Sequence, residues 1–570
     1  MVWFIPFVLW TFPQRRTFIG SIKFKTTILR LFDITTNYNL FCYKIFLLQN
    51  IVIIFTVSHY NIMLMKIEKL PLKLLSILFI SIFAFNCTKK DSDETEIIEE
   101  TEPVTLNNEI NDFIWKGLNE IYLWQEDVPN LAFDKFATQD DYYTFLNEYN
   151  IPENLFDGLL YQIDVVDKFS YIVDDYVALE NAKVGNTNSN GLDFRLGQIN
   201  GTNDVFGYIR YIANNSDAAS KDINRGEFFL EVDGQQLNTN NYIDLLFGDN
   251  NTYTIGMADI NDGTIGINGK TVALTKTNFT ENPILVNKVI NAEGIKVGYL
   301  MYNQFLQNFE VALNNAFTEL KSEGISELVL DLRYNPGGAG VTAVAIASMI
   351  TGQFEDDIFY KEQWNAKYQA YFEANDPDFL INPFVNTLTD GSLITSLNLN
   401  KVYILTTDAT ASSSELVING LNAYIDVVQI GTNTTGKFHG SITLYDSPDF
   451  GKENINPNHT YAMQPLTIKA TNVNGVSDYY DGLVPDYLIT YVTSSGDTFE
   501  GENIVNMGVL GDINEPFLAK ALSLITGNTS KYSTSKKENH ISIDFKPIAD
   551  SKDFTPLGKG SLYSELKIIK

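Results

Sequence analysis

The sequence predicts a multidomain fold of the α/β class, taken in the wider sense that includes α+β proteins. The chain has 570 residues, too many for one hydrophobic core and enough for about three domains. Hydrophobic residues make up 45% of it, so a globular fold needs no disulfide or metal support. From residue 295 onward, short strand-like segments alternate with helical ones, which is the pattern of an α/β core.

Residues 105–180 are predicted to form a helical N-terminal domain. Ile110, Ile114, Leu118 and Ile121 recur at intervals of three and four residues, which places them on one face of a helix. Two asparagines precede this pattern and can act as N-caps. We therefore expect the folded part of the chain to begin with an amphipathic helix.

Residues 185–280 are predicted to form a small β-rich domain. The stretch is rich in Gly, Asn and Asp, and its apolar runs at 206–212 and 228–232 are typical of strands. Asp-Gly and Asn-Gly pairs lie between such runs and predict turns.

The α/β core is predicted between residues 290 and 525. Residues 353–400 show no clean periodicity, and residues 526–570 are interpreted as a C-terminal extension. Strands and helices of the core are expected at 296–301, 309–322, 327–332, 341–350 and 401–406.

The beginning of the chain predicts export. In residues 65–87 a basic stretch leads into an apolar run that is too short to span a bilayer comfortably, as in a signal peptide. Cys87 closes this segment and resembles the lipid-carrying cysteine of bacterial lipoproteins. Residues 88–104 are then an acidic tether. Asn86 departs from the small residue usual at that position, so a plain signal peptide or a buried free cysteine stays open.

A lipid anchor would place the protein in the cell envelope of a Gram-negative bacterium, on the periplasmic side or at the cell surface. Residues 1–64 fit no signal pattern, although they contain further apolar runs. They are either untranslated upstream sequence or additional membrane-spanning segments, and they are left out of the fold prediction.

Charge and composition exclude several classes of function. The net charge of −30 would repel a phosphate backbone, so nucleic acid is not an expected partner. The two cysteines, Cys42 and Cys87, provide neither a disulfide framework nor a zinc site, and the four histidines lack metal-binding spacing. The sequence therefore predicts no metal and no cofactor.

A buried-strand pattern that ends in a glycine turn is the first chemical motif. Residues 328–333 are followed directly by Asn-Pro and then by Gly337 and Gly338. Backbone N–H groups in such a turn can converge on a developing oxyanion. Taken alone, an ordinary βα turn explains the glycines equally well.

A serine-rich helix start is the second motif. Ser412 follows the strand expected at 401–406 and precedes Ser413, Ser414 and Glu415, which open an apolar helical run. The helix dipole at such a position favours negative charge, and the amide of Ser413 could join an oxyanion hole. An N-cap serine with a glutamate in the first turn is also common in helices without any catalytic role.

The third motif is a Gly-Lys turn, one strand further along the chain, that supplies Lys437. The DLRxNPGG turn, the TASxSE helix start and this lysine resemble, in order and spacing, the core of the carboxyl-terminal processing (tail-specific) protease family. The resemblance covers residues 105–525. It implies a crotonase-like (ClpP-like) α/β-spiral protease core that acts on polypeptides, with Ser412 as nucleophile and Lys437 as general base. Oxyanion donors would be Gly337 or Gly338, together with Ser413.

The succession of segments in the β-rich domain resembles a PDZ domain. PDZ domains bind a peptide C-terminus by adding it as a strand to a sheet edge, with its carboxylate on a glycine-containing loop. The residues expected in that loop are Gly191, Leu192, Asp193 and Phe194.

The expected chemistry requires a neutral lysine, although a free lysine has a pKa of about 10.4. Burial lowers the pKa of a lysine, so Lys437 could accept the proton of Ser412. Many members of the family carry glutamine four residues after the lysine, where this chain has Ser441. Ser441 or His439 could orient the lysine instead, although the sequence favours His439 as an exposed loop residue.

Two other readings stay open. A binding lipoprotein with a decayed protease core would lack a nucleophile or a base, whereas both are present. A crotonase-like acyl-CoA enzyme would share the fold type without the coupled serine and lysine. The oligomeric state and the natural substrate are not predicted.

Overall fold

The structure is a computed structural model that describes residues 102–261, 263–492, 496–531, 543–557 and 561–564. These residues all belong to one folded unit, Glu102–Lys570. The signal peptide, Cys87 and most of the acidic tether lie outside the described residues, so they stay predictions.

The helices of the described residues follow the order of the chain. They are α1 (Glu109–Ile121), α2 (Gln139–Leu146), α3 (Pro152–Gly158), α4 (Tyr176–Lys183), α5 (Tyr242–Phe247), α6 (Glu310–Ser322), α7 (Gly340–Thr351), α8 (Ala366–Asn375), α9 (Ser413–Leu421) and α10 (Pro516–Thr526). Short 3-10 segments lie at Gln125–Asp127, Pro129–Leu131, Ala218–Ser220, Gln307–Phe309, Pro377–Leu380 and Ser551–Phe554.

The strands of the described residues are listed by their bounds: β1 (Tyr171–Val173), β2 (Asn186–Ser189), β3 (Leu192–Ile199), β4 (Val205–Ile212), β5 (Phe228–Val232), β6 (Gln235–Gln236), β7 (Thr252–Asn261), β8 (Thr264–Thr275), β9 (Thr277–Thr280), β10 (Ile284–Ala292), β11 (Ile295–Tyr302), β12 (Glu327–Asp331), β13 (Gly337–Ala339), β14 (Ile358–Gln363), β15 (Ile381–Pro383), β16 (Lys401–Thr406), β17 (Asp426–Gly431), β18 (His439–Ile442), β19 (Leu444–Tyr445), β20 (Ala462–Gln464), β21 (Leu466–Asn472), β22 (Tyr487–Leu488), β23 (Thr490–Val492), β24 (Thr498–Glu500), β25 (Phe545–Asp550) and β26 (Ser561–Ser564).

Helix α1 begins the folded region in the way its sequence dictates. The Asn108 side chain caps it by accepting a hydrogen bond from the Ile110 amide at 3.0 Å. Its apolar face buries Ile114 and Leu118 in a cluster that also contains Ile468 of β21. The N-terminal helices therefore pack on a strand of the core.

The β-rich region forms an antiparallel sheet with the strand order β25-β3-β4-β5-β7-β8. Its core contains Leu196 of β3, Phe229 of β5 and Leu246 of α5. The edge strand β25 comes from the C-terminal extension, which the sequence did not connect with this domain. It pairs antiparallel with β3.

The central sheet of the core has the order β10-β11-β12-β16-β17-β22, and it is parallel from β11 to β22. Helices α6, α7 and α9 share a hydrophobic cluster with its strands, including Leu330, Ile346 and Leu416. The three motifs follow β12, β16 and β17, so they meet at the carboxyl edge of one sheet. The predicted α/β class is confirmed.

A second sheet of the core has the order β13-β26-β18-β21-β14-β15. The C-terminal strand β26 lies between β13 and β18 and is parallel to both. Residues 353–400, which the sequence left undecided, contribute β14, α8 and β15. Of the helices in the described part of the chain, none has the length and hydrophobicity needed to cross a bilayer.

A buried ion network joins the central sheet to the last helix. Arg333 is fully buried and donates to Asp331 at 2.8 Å and to Glu515 at 2.7 Å. Glu515 is also the N-cap of α10, where its side chain accepts from the first backbone amides of that helix. The guanidinium therefore neutralises carboxylates that have no access to water.

Replacing Arg333 with methionine should lower the free energy of unfolding by about 3–5 kcal/mol, because it leaves buried carboxylates without a cation. Denaturant unfolding measures this change. The matched control is Lys401→Met, which breaks the solvent-exposed pair of Lys401 with Asp426 and should cost less than about 1 kcal/mol. Equal losses in the two variants would contradict the stabilising role of Arg333.

Candidate active site

Ser412 lies in a tight connection between β16 and α9. The connection is fixed to the glycine turn by side-chain hydrogen bonds: the Thr410 hydroxyl donates to the Leu332 carbonyl at 2.9 Å, and the Ser413 hydroxyl donates to the Gly338 carbonyl at 2.8 Å. The serine-rich segment is therefore positioned by the strand that ends in the glycine turn.

The backbone of Ser412 is strained. Its φ is 64°, a value that costs a residue with a Cβ about 1–3 kcal/mol. The side chain is buried, with the residue 1% exposed, and its hydroxyl has no hydrogen-bond partner among the described residues. A buried, unpartnered hydroxyl at a helix N-terminus is unusual in a purely structural role.

Gly337 and Gly338 lie in the turn that follows β12, at the carboxyl edge of the central sheet. The Gly337 amide donates to the Asn335 side chain at 2.9 Å, so this N–H is already engaged. Gly338 has a φ of 144°, and a Cβ on it would lie 2.1 Å from the Phe305 carbonyl oxygen. Ser413 is the first residue of α9, whose first amides have no partner inside the helix. Gly338 and Ser413 are thus the better candidates for oxyanion donors.

Lys437 is buried at the end of the turn that follows β17, with the residue 1% exposed. Burial lowers its pKa to about 7, although the carboxylates of Asp167 and Glu415 act in the opposite direction. The ammonium position lies 4.9 Å from the centre of the Phe169 ring. Lys437 can therefore lose its proton near neutral pH.

The Glu415 carboxylate connects the serine turn with the lysine turn. One of its oxygens accepts from the amide of Ser412 at 2.7 Å and from the amide of Lys437 at 2.8 Å. The other oxygen accepts from the Thr434 hydroxyl at 2.5 Å and from the Gly436 amide at 2.7 Å. The two predicted catalytic residues thus have backbone amides within hydrogen-bond distance of the same atom.

The N-terminal domain also contributes to the site. Asp167, which is buried, accepts from the Tyr122 hydroxyl at 2.7 Å and from the Ser170 amide at 2.9 Å. This loop carries Phe169 over Lys437. The sequence pointed to neither residue, because no local pattern shows which loop of a helical domain will face the core.

His439 and Ser441, the residues suggested to orient the lysine, both belong to β18. The expectation that His439 is an exposed loop residue was wrong: it belongs to β18, is buried and packs edge-on against the Trp124 ring at 5.1 Å. Burial lowers its pKa to about 3, so it is uncharged at neutral pH. The Ser441 hydroxyl donates to the Leu562 carbonyl at 3.2 Å.

The four residues proposed for peptide binding lie together where β3 begins. Gly191 precedes the strand with a φ of 78°, and Leu192, Asp193 and Phe194 are its first residues. The Phe194 amide donates to the Ser551 hydroxyl at 3.2 Å.

Two arginines connect this loop with the serine segment. Asp193 forms a buried ion pair with Arg210 at 2.6 Å. Arg195 of the same strand forms an ion pair at 3.0 Å with Asp408, which precedes the serine turn. The structure thus links the β-rich domain to the serine turn. Within the described residues there is no cluster of His, Cys, Asp and Glu side chains that could hold a metal ion.

Replacing Glu415 with glutamine should lower the free energy of unfolding by at least about 2 kcal/mol, because an amide NH₂ would face two donors that now bind a carboxylate oxygen. Denaturant unfolding measures the loss. Glu373→Gln, on the exposed face of α8, is the matched control and should change stability by less than about 0.5 kcal/mol. If both variants behaved alike, Glu415 would not hold the two turns together.

Fold and site together define a mixed α/β protein with a buried serine and lysine at the carboxyl edge of its central sheet. Residues 296–449 match the model of peptidase family S41, and residues 109–171 match the model of the S41 N-terminal domain. These two regions are therefore similar to the peptidase domain and to the N-terminal domain of family S41.

Related proteins support this assignment. A carboxyl-terminal-processing protease of Picosynechococcus sp. is 30% identical over 181 residues, which is 32% of this chain and 38% of that protein. A carboxy-terminal-processing protease of Bartonella bacilliformis is 22% identical over 373 residues, covering 63% of this chain and 73% of that protein. The aligned region thus spans less than half of the first relative's length.

A solved structure is similar over most of its own length. A Bacteroides fragilis protein assigned to the S41 proteases aligns with a TM-score of 0.55 and 25% identity, covering 73% of this chain and 97% of that one. Its coverage extends well beyond the two regions that match the family models. The mixed α/β architecture is therefore similar to that of this protein.

Proposed function

We propose that this protein is a serine endopeptidase in which Ser412 is the nucleophile and Lys437 the general base. The observation that carries the proposal is the shared Glu415 oxygen. It holds the backbone amides of two residues, a serine with a buried, unpartnered hydroxyl and a lysine whose pKa lies near 7. A Ser/Lys pair needs a lysine that is neutral at working pH. A crotonase-like spiral core is part of the same proposal.

The proposed reaction moves one proton back and forth. Neutral Lys437 takes the proton of Ser412 as the hydroxyl oxygen attacks the scissile carbonyl, and the oxyanion is held by the amides of Gly338 and Ser413. The ammonium then donates this proton to the leaving amine, which leaves an ester on Ser412. Water attacks the ester while Lys437 again accepts a proton, and the serine is regenerated when that proton returns to its oxygen.

The β-rich domain is proposed to bind polypeptide substrates in the manner of a PDZ domain, near their C-termini. In support, the edge of β3 that faces away from β4 pairs with an additional extended segment, which is how peptide strands are recognised. The glycine-containing loop at Gly191 lies at the end of the same edge. Nucleic acid is not proposed as a partner because of the strong negative charge.

Export and anchoring complete the proposal. Cys87 would carry the lipid and hold the enzyme in the cell envelope, where it would act on exported proteins. Mass spectrometry of the protein purified from membranes would detect a lipidated N-terminal cysteine. A mature N-terminus elsewhere would overturn this part of the proposal.

Ser412→Ala and Lys437→Met should each reduce cleavage of an unfolded polypeptide by at least about 10⁴-fold, because the nucleophile and its base act as a unit. A gel-based assay with β-casein measures the rate. Ser414→Ala is the neighbouring control: its hydroxyl donates to the Asn335 carbonyl, so its loss should reduce the rate far less. Turnover retained by either of the first two variants would refute the pair.

The pH dependence of kcat/KM tests the state of Lys437. Only the neutral amine is active, so the rate should rise with pH through a midpoint near 7 and then level off.

Asp167→Asn should move that midpoint to lower pH, because the Asp167 carboxylate raises the lysine pKa. The hydroxyls of Tyr122 and Ser170 can turn to accept from the new amide, which keeps the loop in place. A profile without a midpoint below 9 would contradict the assignment.

A further inference from the structure

The C-terminal extension enters both the β-rich domain and the peptidase core. Its strand β25 forms the edge of the β-rich sheet, and its strand β26 lies between β13 and β18 of the core. The sequence suggested no role for this segment. The described residues 543–557 and 561–564, which we call the tail, therefore contact the proposed peptide-binding edge and also the strand that contains Gly338.

Strand β25 pairs with the outer edge of β3. It is antiparallel to β3 and runs toward the loop at Gly191. Its Asp550 carboxylate accepts from Arg195 and, at 2.9 Å, from Arg210. Beyond the strand, Phe554 stacks on Phe247 of α5 with ring centres 3.9 Å apart. The tail thus contacts both β3 and α5, and we call the surface between these two elements the peptide groove.

Strand β26 lies beside the candidate oxyanion turn. In its register Leu562 is opposite Gly338, and Tyr563 is opposite Ala339 and Ser441. Leu562 is buried and belongs to the same hydrophobic cluster as the residues of α7 and α9. The backbone of the tail therefore pairs with the strand that contains Gly338, and the Leu562 side chain packs in the core beside it.

The position of β25 favours a segment that can leave. Strand β25 is an edge strand that pairs on one side only, and its Pro547 has no N–H to donate. Meanwhile Ser412 and Lys437 are each 1% exposed, so a polypeptide reaches them only after part of the chain has moved. The tail already pairs with β3 of the β-rich sheet and with β13, the strand that contains Gly338.

We propose that the tail is an internal ligand of the substrate-binding surface, and that a polypeptide substrate binds by replacing it. This inference rests on the proposed peptidase function and names the surface on which that function depends. The surface comprises the β3 edge and the slot between β13 and β18. The matching substrate is an extended chain with an apolar side chain in the place of Leu562 and a carboxylate in the place of Asp550.

The carboxylate requirement has a specific physical basis. Arg210 is buried and Arg195 is half-buried, and Asp550 supplies part of their counter-charge. A substrate that displaces Asp550 must supply a negative group there, because two arginines short of a partner are costly when desolvated. A free C-terminal carboxylate meets this need, whereas a C-terminal amide does not.

The first test compares Leu562→Asp with Leu393→Asp in the full chain. Leu562 is buried in the slot, whereas Leu393 is exposed. A charged side chain is not stable in the apolar site of Leu562, so the tail should dissociate in the Leu562→Asp variant. Because an internal competitor is removed, kcat/KM for β-casein should rise by at least about tenfold. Leu393→Asp should leave the rate unchanged. Equal rates in the two folded variants would overturn the proposal.

The second test does not depend on catalysis. A fluorescent synthetic peptide of residues 543–564 is titrated into the Ser412→Ala chain and into the same chain that also carries Leu562→Asp. The second protein should bind the peptide at least about tenfold more tightly, because its own tail no longer competes. A peptide of residues 543–549 with a free C-terminal carboxylate, which lacks the Asp550 side chain, should also bind more tightly than its C-terminal amide. Identical affinities in the two proteins would overturn the proposal.

Hydrogen exchange on the Ser412→Ala chain covers the case in which Leu562→Asp fails to fold. Amides of β25 and β26 should lose protection when β-casein is added in excess, whereas amides of β12 should not. Unchanged protection of the tail would overturn the proposal. If the peptide binds as expected and no variant cleaves β-casein, the binding surface stands and the peptidase proposal fails.

Discussion

The Glu415 carboxylate accepts four hydrogen bonds, from the serine turn at one oxygen and from the lysine turn at both. Burial raises the pKa of this group, and the four donors act against that shift. A buried carboxylate keeps its charge only when its donors are in place. Neither turn can therefore adopt its conformation alone, since the charge at Glu415 is stable only when the Ser412 and Lys437 amides both reach it.

This shared anchor explains how the site holds a strained residue. The positive φ of Ser412 is retained because the connection around it is fixed at both ends, by Thr410 bonded to the Leu332 carbonyl and by the Ser413 hydroxyl bonded to the Gly338 carbonyl. Gly338 can approach Phe305 only because it lacks a Cβ. Strain at the serine is thus supported by the carboxyl ends of the parallel strands, which place rigid elements directly under the site.

The sequence predicted the parts of the site that are local in the chain. The strand, glycine turn, helix start and lysine turn each have a pattern of a few residues, and the order of parallel strands brings them together. What it missed depends on contacts between distant segments. Glu415 looks like an ordinary first-turn residue until the lysine turn packs on it, and His439 looked exposed because nothing local shows that Trp124 covers it. The tail has no distinctive composition, and its pairing with β3 and β13 is a long-range event.

Burial of Ser412 and Lys437 has two opposite effects on the proposed reaction. Lys437 has a pKa near 7 because water is excluded around it, yet the same exclusion hides Ser412 from a polypeptide. On the proposal made above, departure of the tail would admit water and raise the lysine pKa toward its ordinary value. A substrate strand that takes the place of β26 would exclude the water again, so the general base would be neutral only while the tail or a substrate fills the slot. Activity and occupancy of the surface would then be coupled through the solvation of one amine, without any further conformational signal.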